Sequence, residues 1–361
     1  MWGDVGIPQQ AGLDTTSLDK QGNRRRTTMT WPDGFIRIPR DDPWATCPVE
    51  ELARKYDAVE NHGWYRNLEP TLDELASVVV DGDIVIDYSA GTGILAEHFL
   101  RRNASRQVGF VLVDASPKFL RLALDKLGTD ERTAFRWIQY LKNQKRLQML
   151  DEVLPPLLLE TGAAALCSTN AIHLYYDLLD TLRAWGRVLK PGAAVLIQSG
   201  NINNPDAAAG TWIIDETVEQ LQPIARELVR GNDKYAAFRA SLDDAARLVA
   251  YDQLRRKYFL PVRPLSYYVD TLREAGFEIV NVEARSIDAL VSDWTDFLSA
   301  YHEGVLGWAG GSRRIDDAAP SENAIRLRQD LLRDSLALLF EYASNFLANW
   351  TYITCRMPAA S

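Results

Sequence analysis

The densest chemical signal in the chain is the run Asp87-Tyr88-Ser89-Ala90-Gly91-Thr92-Gly93. Ile84-Val85-Ile86 before it is β-branched and apolar. Ile94, Leu95, His98, Phe99 and Leu100 after it recur at helical spacing, so the run reads as strand, glycine-rich turn and helix. Gly91 and Gly93 present no Cβ, which lets a ligand approach the main chain. Two ligand chemistries compete for such a turn. Gly91-Thr92-Gly93-Ile94-Leu95-Ala96 satisfies the looser G-x-G-x-x-A dinucleotide pattern, and a dinucleotide would bring its diphosphate there. Asp87 argues the other way. At the end of the strand its carboxylate is expected to face the same crevice, repelling a diphosphate and favouring a ligand with an ammonium and a sulfonium. Asp114 closes the next apolar run, 21 residues after Gly93, and puts a second acid in register with the loop.

The elements that must hold these residues alternate along the chain. Strands are expected at Ile84–Ile86, Val108–Val113, Ala134–Tyr140, Ala163–Cys167, Ala193–Gln198, Phe277–Ala284 and Trp350–Arg356. Helices lie between them at Pro117–Leu127, Tyr176–Leu189 and Ser266–Ala275. Strands apolar nearly throughout and separated by helices imply parallel pairing with both faces covered. The fold class is therefore α/β: a doubly wound, Rossmann-like, mostly parallel seven-stranded sheet with a helical cover and insertions, its ligand site beyond the strand C-terminal ends. The chain divides into a flexible arm over 1–47, and a core with an N-terminal helical cover over 48–200. A helical lid follows over 201–265, then the C-terminal part of the sheet over 266–361, interrupted by a second helical insertion at about 287–346. Gly304 to Gly311, flanking Trp308, reads as a loop that turns sharply or approaches something bound.

Composition narrows the partners. Acidic residues outnumber basic ones, 49 to 40, for a net charge of -9, which repels nucleic acid and anionic lipid alike. No apolar run reaches the roughly 18 residues a membrane span needs, and the first thirty residues have no apolar leader-like core. Three cysteines, Cys47, Cys167 and Cys355, are far apart, so neither a disulfide framework nor a cysteine-based zinc site is legible. No histidine spacing suggests a metal. The expectation is a cytoplasmic protein with no metal, no nucleic acid and no membrane partner.

Three segments taken in order resemble the class I S-adenosylmethionine-dependent methyltransferases: Val85 through Gly93, Leu112-Val113-Asp114-Ala115-Ser116-Pro117, and Leu189-Lys190-Pro191-Gly192. The resemblance spans roughly 56–198, with a continuation in 272–284 and the final strand. It implies S-adenosylmethionine as methyl donor and S-adenosylhomocysteine as product. It implies Asp87 at the methionine ammonium, Ser89, Ala90, Gly91 and Gly93 as the loop, and Asp114 on the ribose hydroxyls with Ala115 beside the adenine. Gln139 and Tyr140 are the nearest candidates for the adenine amino group, since the family's more usual acid is absent. Asn170 would lie near the methionine moiety, and Tyr56 would close over the donor. Ser89 departs from the family's usual glycine.

The acceptor side is read from histidines and aromatics. His173 follows the fourth strand, where acceptors bind in this family, and the pair His302-Glu303 offers a second proton acceptor; these three are the catalytic candidates. Packing or hydrogen bonding within the fold is the competing role for each. His62, Trp64, Tyr65, Tyr176, Trp212, Tyr267, Tyr301 and Trp308 are the pocket candidates, and the alternative is that they form the insertions' own small core. Lining a crevice, they would enclose a small, largely apolar or aromatic acceptor methylated on O, N or C. Such covers fit secondary metabolism by analogy, and a homodimer joined through the insertions stays open. The alternatives are an NAD(P)-dependent oxidoreductase using the same loop and a non-catalytic, methyltransferase-like binding protein.

Overall fold

The computed structural model describes residues 29–58 and 62–359, apart from the side chains at 51, 52, 55 and 64. Seven strands form one sheet: β1 Ile84–Tyr88, β2 Gly109–Asp114, β3 Thr133–Trp137, β4 Ala163–Thr169, β5 Leu189–Ser199, β6 Glu278–Leu290 and β7 Asn345–Arg356. Their spatial order is β6-β7-β5-β4-β1-β2-β3, with β1 to β5 parallel and β7 antiparallel to both its neighbours. Every residue of β1 and β2 is buried, as a central parallel strand requires when helices cover both faces. The chain winds outward from β1 through β2 to β3, then returns to β4 on the other side of β1. That reversal opens a crevice beyond the C-terminal ends of β1 and β4.

Two apolar cores flank the sheet. Val85, Leu95, Phe99, Leu112 and Leu120 lie in one, beneath helices α1 Glu51–Asp57, α2 Glu69–Val78, α3 Ile94–Arg102 and α4 Pro117–Leu127. Ile86, Val111, Leu182, Trp185 and Leu272 lie in the other, beneath α5 Leu178–Gly186 and a later helix, Leu265–Glu274. The insertion after β5 contributes α6 Glu216–Gly231 and α7 Ala245–Tyr258. Counting Leu265–Glu274 as α8, the insertion after β6 contributes α9 Val291–Ala300, α10 His302–Leu306 and α11 Glu322–Leu339.

Three boundaries differ from the sequence expectation. β6 and β7 pair from Glu278↔Arg356 to Leu290↔Asn345, but β5 pairs only with Thr351–Arg356 of β7. The rest of the pair projects past the sheet beside the crevice. Its residues Ser286, Asp288 and Asn345 are polar and exposed, so it carries no apolar strand signature. β3 ends at Trp137, and Tyr140–Leu141 instead pairs with Arg146–Leu147 in a small hairpin. The described part of the expected arm is packed: Arg37 donates to the carbonyls of Asp130 and Thr133 at 3.0 and 2.9 Å, and Phe135 N–H donates to Arg37 O at 2.9 Å. Trp44 is buried there as well. This segment covers the outer edge of β3, which would otherwise present unpaired main-chain groups; residues 1–28 lie outside the described ones.

Gly93 ties the loop to this packing. Its φ is +81°, and a Cβ there would lie 2.9 Å from Leu112 Cδ2 and 3.0 Å from Leu127 Cδ1. Gly93→Ala is expected to destabilise the protein by about 2 to 4 kcal/mol, from left-handed strain plus overpacking. Urea denaturation midpoints check this, and an unshifted midpoint would show that α3 can move off the sheet freely.

Candidate functional site

The loop after β1 is held by its own hydrogen bonds. Asp114, at the end of β2, accepts from Gly91 N–H through Oδ2 at 2.7 Å and from Ser116 N–H through Oδ1 at 2.6 Å. Ala90 N–H donates to Val113 O at 3.0 Å and Gly93 N–H to Ala90 O at 2.8 Å. Burial raises the pKa of Asp114, and the main-chain donors of Ser116, Gly91 and Ala115 oppose that shift. Each carboxylate oxygen keeps an unused lone pair toward the crevice. Ser89 takes a φ of +61°, the left-handed region a glycine adopts freely. Its hydroxyl pairs with Tyr175 OH at 2.8 Å, which in turn reaches Ser168 Oγ at 3.0 Å, so side-chain bonding offsets the strain.

Asp87 is not where its position suggested. It is fully buried, shares the face of Val85 and pairs in register with Cys167; it does not line the crevice. Both its carboxylate oxygens lack a hydrogen-bond partner among the described residues. Burial, then the charge of Asp114, push its pKa up to about 7, opposed by the main chain of Ala96 in the first turn of α3. Strand alternation explains the placement: side chains two apart share a face, and Val85 is committed to the core beneath α3. A direct clash of Asp87 with a diphosphate is therefore absent. What works against a diphosphate is that Ala90, Gly91 and Gly93 already use their N–H groups within the protein, and that the Asp114 carboxylate stands beside Gly91.

The crevice is a cavity of about 550 Å³, within the range of small-ligand sites. Gly91, Ser89, Asp114, Ala115 and Ser116 form its floor, and the Tyr140 and Arg146–Leu147 hairpin closes one side. Tyr56 and Phe119, stacked with centroids 4.7 Å apart, close the other, and a Cβ at Gly91 would meet Tyr56 Cε1 at 3.7 Å. Sheet order and the position of loop and crevice are those of a doubly wound, Rossmann-like α/β fold. No family model matches the sequence, and no curated protein matches it. Among solved structures the chain is similar to a SAM-dependent methyltransferase from Geobacter sulfurreducens in complex with S-adenosyl-L-homocysteine. The two are 14% identical over 84% of this chain and 98% of that one, with a TM-score of 0.43. It is also similar to the YcgJ protein from Bacillus subtilis (12% identical, 82% of this chain and 100% of that one, TM-score 0.46). A third likeness is to the [4+2]-cyclase SpnF (15% identical, 85% and 82%, TM-score 0.40). Likenesses this remote decide nothing about activity, which has to be argued from the residues in place.

A second cavity, of about 240 Å³, adjoins the first. Tyr56, Phe119, Asn170 and Leu174 line both. Its remaining walls are largely aromatic: Tyr65 from the cover, Tyr258 and Phe259 at the end of α7, Trp294 and Phe297 of α9, and Tyr301 and Trp350. Asn170, with φ +53° at the exit of β4, is fixed by Trp350 Nε1, which donates to its Oδ1 at 3.0 Å. His173 also lines the cavity, but both its ring nitrogens are engaged. Asn201 Oδ1 accepts from Asp215 N–H at 2.9 Å, so the Asn201 amide donates to His173 Nε2 at 3.2 Å. His173 Nδ1 then carries the proton and donates to Ser199 Oγ at 3.0 Å. Burial, assisted by the charge of Arg263, lowers the His173 pKa to about 4. The imidazole is neutral, with no free lone pair to take a proton.

Of the remaining expected residues, Tyr140 and Tyr176 line the donor crevice and Tyr65 and Tyr301 the aromatic cavity. Ala90 and Gly93 shape the loop from beneath. Gln139 is exposed outside both cavities, where it pairs with Gln148. His302 and Glu303 are not in the site: Arg328 lies 3.0 Å from His302 Nδ1, and Ser312 donates to Glu303 Oε2 at 2.8 Å. Trp308 is buried in the same insertion, its Nε1 donating to Gln222 at 3.2 Å. There Gly310 and Gly311 turn against Phe238, Arg328 and Asp316, so the glycine-rich stretch meets the insertion's own core. Trp212 packs edge-on against Phe340, and Tyr267 lies under Arg263. His62 precedes the short 3-10 turn Gly63–Leu68, outside both linings, and the Trp64 side chain lies outside the described ones. Sequence reasoning missed Phe119, Tyr258, Phe259, Phe297, Trp350 and Asp215 as site residues. The last stands at the N-cap of α6, where its side chain makes no capping bond.

Proposed function

We propose that the protein is an S-adenosylmethionine-dependent methyltransferase acting on a small, largely apolar or aromatic acceptor. The observation that carries this is the meeting of two cavities of different chemistry. One has a glycine floor and a carboxylate at the switch point of a doubly wound sheet; the other is walled by aromatic rings, and four side chains line both. When bound, the donor supplies an electrophilic methyl group on a sulfonium. Asp114 would hold the ribose hydroxyls with the lone pairs left by Gly91 and Ser116. Gly91 leaves room for close approach, and Ala115, Ser116 and the Tyr140 hairpin enclose the nucleoside end. Buried without a partner beneath the loop, Asp87 is the group that a cationic amino-acid tail in the crevice would draw toward its ionised form through water rather than by direct contact.

The chain's part in the transfer is alignment and exclusion of water, which together can supply much of the rate of an in-line displacement. The Tyr56–Phe119 stack covers the border between the cavities, and the aromatic walls beyond it favour the sulfonium's charge. A nicotinamide reading is disfavoured because the loop N–H groups that would cradle a diphosphate are engaged.

Calorimetry on the full chain with S-adenosylhomocysteine and, separately, NADH tests the reading. Saturable binding of the first and none of the second is expected. Binding of NADH alone would transfer the site to the oxidoreductase alternative.

A further inference from the structure

We propose that the acceptor is a small organic amine, bound as its ammonium ion against Asp215 in the aromatic cavity, with Asp215 then accepting the proton that nitrogen must lose. The inference rests on the methyltransferase reading and deepens it. Asp215 is half-buried where the chain enters α6, and among the described residues it is the one acid that lines the cavity. No lysine or arginine lines the cavity among the described residues. The other polar residues of its lining, Asn170, Asn201, His173 and four tyrosines, are neutral. The nearby cation Arg263 faces elsewhere, donating to Tyr175 O at 3.2 Å with its guanidinium 4.8 Å from the Tyr267 ring centroid. One carboxylate among aromatic faces selects for a cation, since ring faces attract positive charge and a desolvated ammonium needs a counter-ion. An anionic acceptor would give up its hydration beside a carboxylate, with neutral donors but no cation to pair with among the described residues.

The same geometry gives the proton a destination. Burial raises the Asp215 pKa to about 7, opposed by Asn201, so the carboxylate is basic enough to accept a proton near neutral pH. The N–H bond of the ammonium breaks, its proton goes to an Asp215 oxygen, and the freed nitrogen lone pair forms the N–CH3 bond. The electron pair of the breaking S–C bond stays on sulfur, and Asp215 returns the proton to solvent.

The test uses binding rather than turnover. Full-length protein saturated with S-adenosylhomocysteine is titrated with benzylamine, benzyl alcohol and phenylacetate, following tryptophan fluorescence. Benzylamine is expected to bind at least tenfold more tightly than the alcohol, and phenylacetate not measurably. In Asp215→Asn the amine-to-alcohol ratio should fall to about one while affinity for S-adenosylhomocysteine stays within twofold. Preference for the alcohol or the carboxylate, or an amine preference that survives Asp215→Asn, would overturn the proposal. An Asp215-dependent amine preference in a chain that does not bind S-adenosylhomocysteine would keep the amine site and overturn the methyltransferase reading instead.

Discussion

Asp114→Asn is expected to weaken S-adenosylhomocysteine binding by about 10- to 100-fold, because charge-assisted hydrogen bonds contribute roughly 1.5 to 3 kcal/mol more than their loss leaves behind. The amide keeps one acceptor oxygen, so one of the two main-chain donors that Asp114 holds, Gly91 or Ser116, stays paired. Asp114→Ala loses both. Relative to wild type it should cost the folded state about 2 to 4 kcal/mol, the penalty for two N–H groups left unpaired in a largely buried place, roughly twice that of the amide. The two variants thus separate a ligand-binding role from a loop-holding one. Calorimetric affinity reads the first and thermal denaturation of the unliganded protein reads the second. Wild-type affinity in Asp114→Asn would remove the ribose assignment; equal thermal stability in both variants would show that the loop keeps its shape without the carboxylate.

This double role shows where sequence reasoning reaches and where it stops. The loop, the acid at the end of β2 and the order of the seven strands are local or periodic features, written in runs such as Ile84-Val85-Ile86 and Val111-Leu112-Val113. They emerge where expected. Which face a side chain takes near a strand's end depends on the pleat, and proximity to the glycine loop in sequence does not settle it: Tyr88, the last residue of β1, lines the crevice, whereas Asp87 before it points into the core. The insertions are harder still. Trp294 and Trp308 look alike as sequence, yet the first lines the aromatic cavity and the second hydrogen-bonds to Gln222 in a helical core. His302 and Glu303 read as an acid–base pair until Arg328 and Ser312, from other elements, are brought against them. For Asp215 a usable signal existed: an acid soon after the fifth strand, on the side of the sheet where ligands bind. Sequence reasoning sought the base among the histidines and Glu303 and did not consider it.

Asp87 supplies the other large effect, and its sign differs from that of a paired carboxylate. Its folded pKa of about 7 exceeds the ordinary value of 3.8, so the folded protein holds this proton more tightly than the unfolded chain does. Below about pH 4 both states are protonated. Between about 4 and 7 the folded state carries the extra proton, and stability falls by about 1.4 kcal/mol per pH unit from this group. By pH 8 the accumulated loss is about 4 kcal/mol, the cost of keeping an unpartnered carboxylate buried. Asp215, also raised to about 7, slopes the same way, whereas His173, lowered to about 4, slopes the opposite way up to its ordinary value of 6.5. The wild-type profile mixes these, but subtracting the profile of Asp87→Asn isolates one group. Asp87→Asn is expected to match wild type near pH 4 and to exceed it by about 4 kcal/mol at pH 8, as measured by urea denaturation across that range. A constant difference would mean that Asp87 is ionised throughout, as it would be if ordered water satisfied both its oxygens in the unliganded protein. The rise also fixes what a ligand must do. A cationic tail that stabilises the charged form of Asp87 should release about half a proton when it binds near pH 7, rising toward one near pH 6, visible as a dependence of the calorimetric heat on buffer ionisation enthalpy that disappears in Asp87→Asn.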